Sequence, residues 1–148
     1  MRSIDLCWLS RKEKDITLPN LVYTDLEEYS GCYYSNDAFG DEVFISDKHY
    51  DCSNGLIAVN TCYDTYDRNE IENTLAHEWR HHCQALRSIK NKSDIVIDWC
   101  NDEEYENNIV KYFKSNSCEM DALLFAEKYA PSDSTEWWIS LIKQEKWY

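Results

Sequence analysis

The chain has 148 residues, 43% of them hydrophobic and 14% aromatic, which is enough apolar material for one ordinary domain over 1–148 and excludes a disordered chain. A formal net charge of -13 repels phosphate backbones, so nucleic acid is not expected as a partner. No apolar stretch approaches the length of a membrane span, and only three Gly and two Pro leave no long flexible linker.

Taken in chain order, residues 3–9 alternate well enough for a strand, and Arg11 to Asp15 form a charged turn. The start carries an acidic residue, Asp5, inside its apolar run and does not read as a signal peptide. Leu18-Pro19-Asn20 begins an irregular stretch, Thr24 to Tyr29 suits a short helix closed by Gly31, and 32–40 reads as loop. Glu42 to Ser46 and Leu56 to Asn60 read as strands, separated by a turn over Asp51 to Gly55.

The next segment, 68–90, has no Gly or Pro. It carries Ile71, Leu75, Ala85, Leu86 and Ile89 at helical spacing, and Asp67 with Glu70 forms a capping-box pattern before it. Beyond it, Ile95 to Ile97 is short and ambiguous. A helix is expected from Asn101 to about Lys114, another from about Cys118 to Tyr129 ahead of Pro131, and a last one from about Ser134 to Lys146. In that last helix Trp137, Trp138, Leu141 and Ile142, with Trp147 just beyond it, are expected to pack onto the domain. Strands first and helices after predict an α+β fold, with a small, largely antiparallel sheet on one side of a helical layer.

The seven cysteines (7, 32, 52, 62, 83, 100 and 118) are odd in number and contain no C-x-x-C pair. They imply reduced, mostly buried thiols and a cytoplasmic setting, not a disulfide scaffold.

Chemistry concentrates in the 68–90 helix. His77-Glu78-x-x-His81 is an H-E-x-x-H pattern. Residues four apart sit one turn above each other, so both imidazoles can reach one metal ion from one face. Glu78 is rotated about 100° from His77, which places it beside the metal as a general base. His82 is turned away from this face, and His49 lies upstream with its place open.

A catalytic zinc takes three protein ligands and keeps one position open. Downstream, Asp98, Glu103, Glu104, Glu106, Glu119, Asp121 and Glu127 are all candidates for the third. Glu119 stands out because it lies in the first turn of a helix with an apolar side (Ala122, Leu123, Phe125, Ala126, Tyr129), where the helix dipole favours a carboxylate.

Together, Leu75-Ala76-His77-Glu78-x-Arg80-His81-His82 and Asn116-x-x-Glu119-x-Asp121-Ala122-x-x-Phe125-Ala126 resemble the small gluzincins. These are compact zincin-like metallopeptidases frequently carried by phages, prophages and bacteria. The resemblance spans roughly residues 70–130. It implies a zincin-like fold, one Zn2+ per chain held by His77, His81 and Glu119, and Glu78 as the general base in hydrolysis of a peptide or protein substrate. It also implies that Leu56 to Asn60 occupies the place of the strand bordering the substrate cleft.

Two positions depart from the family pattern. Ser117 stands where Pro is common, and Leu123 stands where some members place an Asp that orients a ligand His; Asp121 or a backbone carbonyl is left to fill that role. The alternative reading is a zinc-bearing binding or regulatory protein without turnover, and a third is a metal-free acidic interaction protein. The presence of Glu78 favours the peptidase, since a structural site needs no base.

Overall fold

The computed structural model describes residues 5–13, 16–27, 29–61, 68–91 and 117–144. The centre of the fold is β5 (Leu56–Asn60), an apolar run whose five residues are all buried. Such a run is stable only with both faces covered and both edges paired. On one edge β1 (Asn20–Thr24) runs parallel to it, from Asn20 opposite Leu56 to Thr24 opposite Asn60. On the other, β2 (Gly31–Tyr34) runs antiparallel, from Gly31 opposite Val59 to Tyr34 opposite Leu56.

A one-turn helix, α1 (Cys7–Ser10), precedes this sheet, and another, α2 (Asn36–Phe39), follows β2. A separate hairpin comprises β3 (Glu42–Ile45) and β4 (Lys48–Asp51). Its two-residue turn, Ser46-Asp47, has φ of 49° and 66°, the left-handed pair that matches hairpin twist. Three helices complete the described fold: α3 (Arg68–Asn91), α4 (Ser117–Tyr129) and α5 (Asp133–Gln144).

The period-two alternation of the strands assigns each sheet face to a different neighbour. Tyr33, Ile57 and Val59, with Leu21 and Tyr23, join the cluster that includes Ile71, Leu75 and Trp79 of α3. Leu56 and Ala58, with Val22, Cys32 and Tyr34, meet Ile45, Val43 and Tyr50 of the hairpin. Phe125 and Ala126 of α4 enter the α3 cluster from the opposite side. The motif helix is thereby held between sheet and α4, and Trp79, Ala76 and Cys83 are fully buried.

Two buried asparagines fix the connections. Asn60 accepts from the Leu26 amide at 3.3 Å and donates to the Glu27 and Tyr29 carbonyls at 2.9 Å and 2.8 Å. This side chain shapes the loop that delivers the chain from β1 to β2. Asn73 of α3 donates to the Ala130 carbonyl at 2.9 Å and accepts from the Thr135 hydroxyl at 2.7 Å, tying the α4–α5 corner to α3.

The α+β class, the motif helix, the helix from about 118 to 129 and the strands at 42–46 and 56–60 agree with the sequence reading. Other elements differ. Of the expected strand over 3–9, residues 3 and 4 lie outside the described residues and Cys7 to Leu9 belong to the α1 turn, because Leu6 and Leu9 are the buried pair and lie three apart, not two. The expected helix over Thr24 to Tyr29 is the end of β1 and a loop. There the Asp25 carboxylate accepts from the Glu27 amide at 2.8 Å and Glu27 takes φ 59°, a local bond that competes with helix.

The irregular stretch from Leu18 contains β1, and the 32–40 loop contains most of β2 and α2, whose cap Ser35 accepts from the Ala38 amide. Leu56 to Asn60 is the central strand, not a cleft-bordering edge, so the edge beside α3 is β2. The three-stranded sheet is mixed rather than largely antiparallel. Trp137 is 56% exposed rather than packed. The expected helix from Asn101, the run at 95–97, Trp147 and the cap residue Asp67 lie outside the described residues.

The cysteines at 7, 32, 52, 83 and 118 form no disulfide with one another. Among the described residues no helix is long and apolar enough to cross a membrane.

Because Asn60 satisfies three backbone groups of one loop, its loss leaves them underbonded. Asn60→Ala is expected to cost about 2 kcal/mol, read as a lower urea midpoint. An unchanged midpoint would show that the loop is shaped by other contacts.

Candidate metal centre

His77 and His81 project from one face of α3, with ring centroids 4.9 Å apart and edge to face. Glu119 enters from the first turn of α4 and reaches both rings. Its Oε2 lies 3.0 Å from His77 Nε2 and its Oε1 lies 2.7 Å from His81 Nε2. The ligand atoms of these three residues fall within 4.8 Å of one another. A tetrahedral zinc with ligand bonds of roughly 2.0–2.2 Å spaces its donors ~3.3 Å apart, so two imidazole nitrogens and a carboxylate at this separation suit a single metal ion.

All three side chains are largely withdrawn from solvent. His81 is 3% exposed. Burial alone would push its proton off, but the hydrogen bond and charge of Glu119, with the charge of Glu78, outweigh burial and hold the imidazole at about 9. Burial also favours the protonated form of Glu119, and the hydrogen bonds from His77 and His81 overcome it, keeping this carboxyl far below its ordinary value.

Glu78, one position after His77, is buried beside the triad and feels the charges of all three of its members. Burial raises its proton affinity, the charges of His77 and His81 oppose that, and Glu119 adds to it, with a net upward shift. The carboxylate therefore takes up a proton more readily than one in water.

The edge strand comes unusually close here. A Cβ on Gly31 would stand 2.6 Å from Thr74 Cγ2 and 3.3 Å from Glu78 Cγ, so only glycine lets β2 lie against this turn of α3. Glu78 is consequently flanked by a strand backbone on one side and the histidine pair on the other.

His82 has a different task, as its position on the helix implies. Its Nε2 lies 2.6 Å from the Thr17 carbonyl, which can only accept, so Nε2 carries the proton and Nδ1 accepts from the Tyr33 hydroxyl at 2.8 Å. Burial lowers its proton affinity, and it serves as a neutral tie between α3, β2 and the N-terminal segment. His49 sits on the exposed hairpin beside Glu42, in the sheet the triad does not use. Of the other carboxylates considered as ligands, Asp121 is engaged by Arg80 and Glu127 is absent from the cluster. Asp98, Glu103, Glu104 and Glu106 lie outside the described residues.

Sequence reasoning took Gly31 only as a helix stop and Arg80 only as part of the resembling motif, and it overlooked Gln84. Arg80 Nε bonds Asp121 Oδ2 at 2.7 Å, its Nη1 reaches Glu13 at 3.4 Å, and its guanidinium lies 5.0 Å from the Phe125 ring centroid. The signal for Gln84 was available: it stands three residues after His81, on the same helix face.

Comparison with protein-family models, with curated proteins and with solved structures returned no match to this chain.

The triad's charges predict a specific pH response in the presence of chelator. His81, at about 9 when folded against 6.5 ordinarily, stabilises the fold fully below pH 6.5, and that contribution is lost as pH rises through 9. Glu119, held below its ordinary 4.5, stabilises above pH 4.5 and loses the contribution in acid. The melting temperature in chelator is therefore expected to fall between pH 6.5 and 9, more steeply in wild type than in Glu119→Gln. Equal slopes in the two proteins would refute the pairing.

Proposed function

We propose that the chain is a zinc-dependent metallopeptidase of zincin-like fold, with His77, His81 and Glu119 as ligands and Glu78 as general base. The observation that carries this reading is the buried carboxylate of Glu78 beside a cluster that already has three donors. Three protein ligands leave the fourth position of a tetrahedral zinc for water, and a carboxylate beside that position, outside the ligand set, is what a catalytic site uses and a closed four-ligand structural site does not.

Bound zinc supplies Lewis acidity, polarising a carbonyl and lowering the pKa of water toward neutrality. The protein's own residues do the rest. Glu78 takes the proton of the attacking water and passes it to the leaving amine, a transfer suited to a carboxylate whose proton affinity burial has raised. The histidines and Glu119 are aimed before substrate arrives, since two helices hold them by packing rather than by a loop.

The β2 edge, brought next to Glu78 by Gly31, supports an extended substrate peptide added as a further strand. A peptide or protein substrate, with neither nucleic acid nor membrane, also fits the charge of -13. The cysteine usage remains the support for a cytoplasmic setting.

Two variants separate the roles of the carboxylates. Glu78→Gln is expected to hold zinc like wild type, yet lose peptidase turnover by about 10²–10⁴-fold, the usual worth of a general base. Glu119→Gln removes an anionic ligand and is expected to bind zinc more weakly and to lose the stabilisation that zinc confers. The checks are zinc titration, thermal melts and turnover on a diverse peptide library. Equal zinc loss in both variants would make Glu78 a ligand. Zinc-loaded wild type that cleaves no peptide would favour the zinc-bearing binding protein.

A further inference from the structure

The imidazole of His81 has a second nitrogen, and what it meets is as specific as the triad. Nδ1 lies 3.0 Å from Gln84 Oε1. The amide nitrogen of Gln84 lies 3.0 Å from the Cys118 carbonyl and 2.8 Å from Asp121 Oδ2. Both of these oxygens can only accept. Turning the amide over would set its oxygen against two acceptors, so chemistry fixes which end of Gln84 faces His81. Asp121 is in turn held by Arg80 Nε at 2.7 Å.

We propose that Gln84 is a positioning residue for the metal centre: its oriented amide oxygen requires His81 to carry a proton on Nδ1 and so reserves Nε2 for the metal. This rests on the metal-binding reading above. The relay runs from Arg80 of α3 through Asp121 of α4 back to Gln84 and His81 of α3. One turn of α4 thus does two things. Glu119 supplies a ligand, while the Cys118 carbonyl and Asp121, on either side of it in sequence, orient the amide that orients another ligand. Leu123, which lacks any polar group, is not needed for this role. A ligand histidine whose other nitrogen has a fixed acceptor loses less rotational freedom on binding and is a better donor, effects worth about 10–100-fold in metal affinity.

The test compares wild type with Gln84→Met, which keeps length and removes the acceptor. Zinc affinity is measured by competition with a chromophoric chelator, and folding in chelator is followed by circular dichroism. The expected result is a folded variant whose zinc dissociation constant is about 10–100-fold higher. Long-range 1H–15N spectra of zinc-loaded wild type are expected to show His81 with a slowly exchanging Nδ1 proton and Nε2 bound to metal. That measurement decides the matter even if the variant does not fold. Unchanged zinc affinity in Gln84→Met, or coordination of zinc through His81 Nδ1, would overturn the proposal and leave the metal site standing. Wild-type protein that takes up no zinc would overturn the metal reading and this proposal together.

Discussion

Glu119 lies between two imidazoles, at 3.0 Å and 2.7 Å, and this bridge between α3 and α4 is the contact on which the rest of the site depends. Three ionisable groups largely withdrawn from solvent cost several kcal/mol to desolvate unless each is paired. Here each is paired with another, and the surrounding apolar contacts fix the distance between the two helices. Ala122 and Ala126 of α4 and Ala76 of α3 are fully buried. Small side chains at the helix contact allow close approach, and close approach lets a short Glu side chain span to both rings.

The other side of α3 is set by a different constraint. The sheet must cover Ile71, Leu75 and Trp79, and it does so with one face of a three-stranded unit whose opposite face is covered by the hairpin. The sequence of that unit is tuned at two points, neither of them apolar. Asn60 shapes the loop that enters β2, and Gly31 removes the side chain that would hold β2 away from Thr74 and Glu78. Without both, the general base of the proposed peptidase would face solvent rather than a strand edge. Local geometry of this kind, in which a strand backbone lies against a buried carboxylate, links fold to the proposed chemistry more directly than the metal ligands alone.

Much of the site was legible in the sequence because its spacing is that of a helix. His77 and His81 four apart fix their common face whatever else the chain does, and Glu119 in the first turn of an amphipathic segment could be matched to them. The edge strand was not legible. Gly31 to Tyr34 is four residues long, follows an irregular loop, and owes its place to pairing with β5 and to a buried asparagine far along the chain. A four-residue strand carries too little periodicity to announce itself. The same holds for α1, where Leu6 and Leu9 decide the conformation only because α3 offers them a surface. Arg80 was legible only as part of the resembling motif, and Gln84 carried no reading at all. Their roles come from Asp121, which tertiary packing alone brings within 2.8 Å and 2.7 Å.

The proposed zinc site consists of two imidazoles and one carboxylate, and no thiolate. X-ray absorption spectroscopy at the zinc edge on reconstituted protein tests this most directly, because it reads the donor atoms themselves. The expected result is one zinc per chain in a shell of nitrogen and oxygen donors at about 2.0–2.1 Å, with the multiple-scattering signature of two imidazoles. A zinc–sulfur distance of about 2.3 Å, or a shell with fewer than two imidazoles, would contradict it.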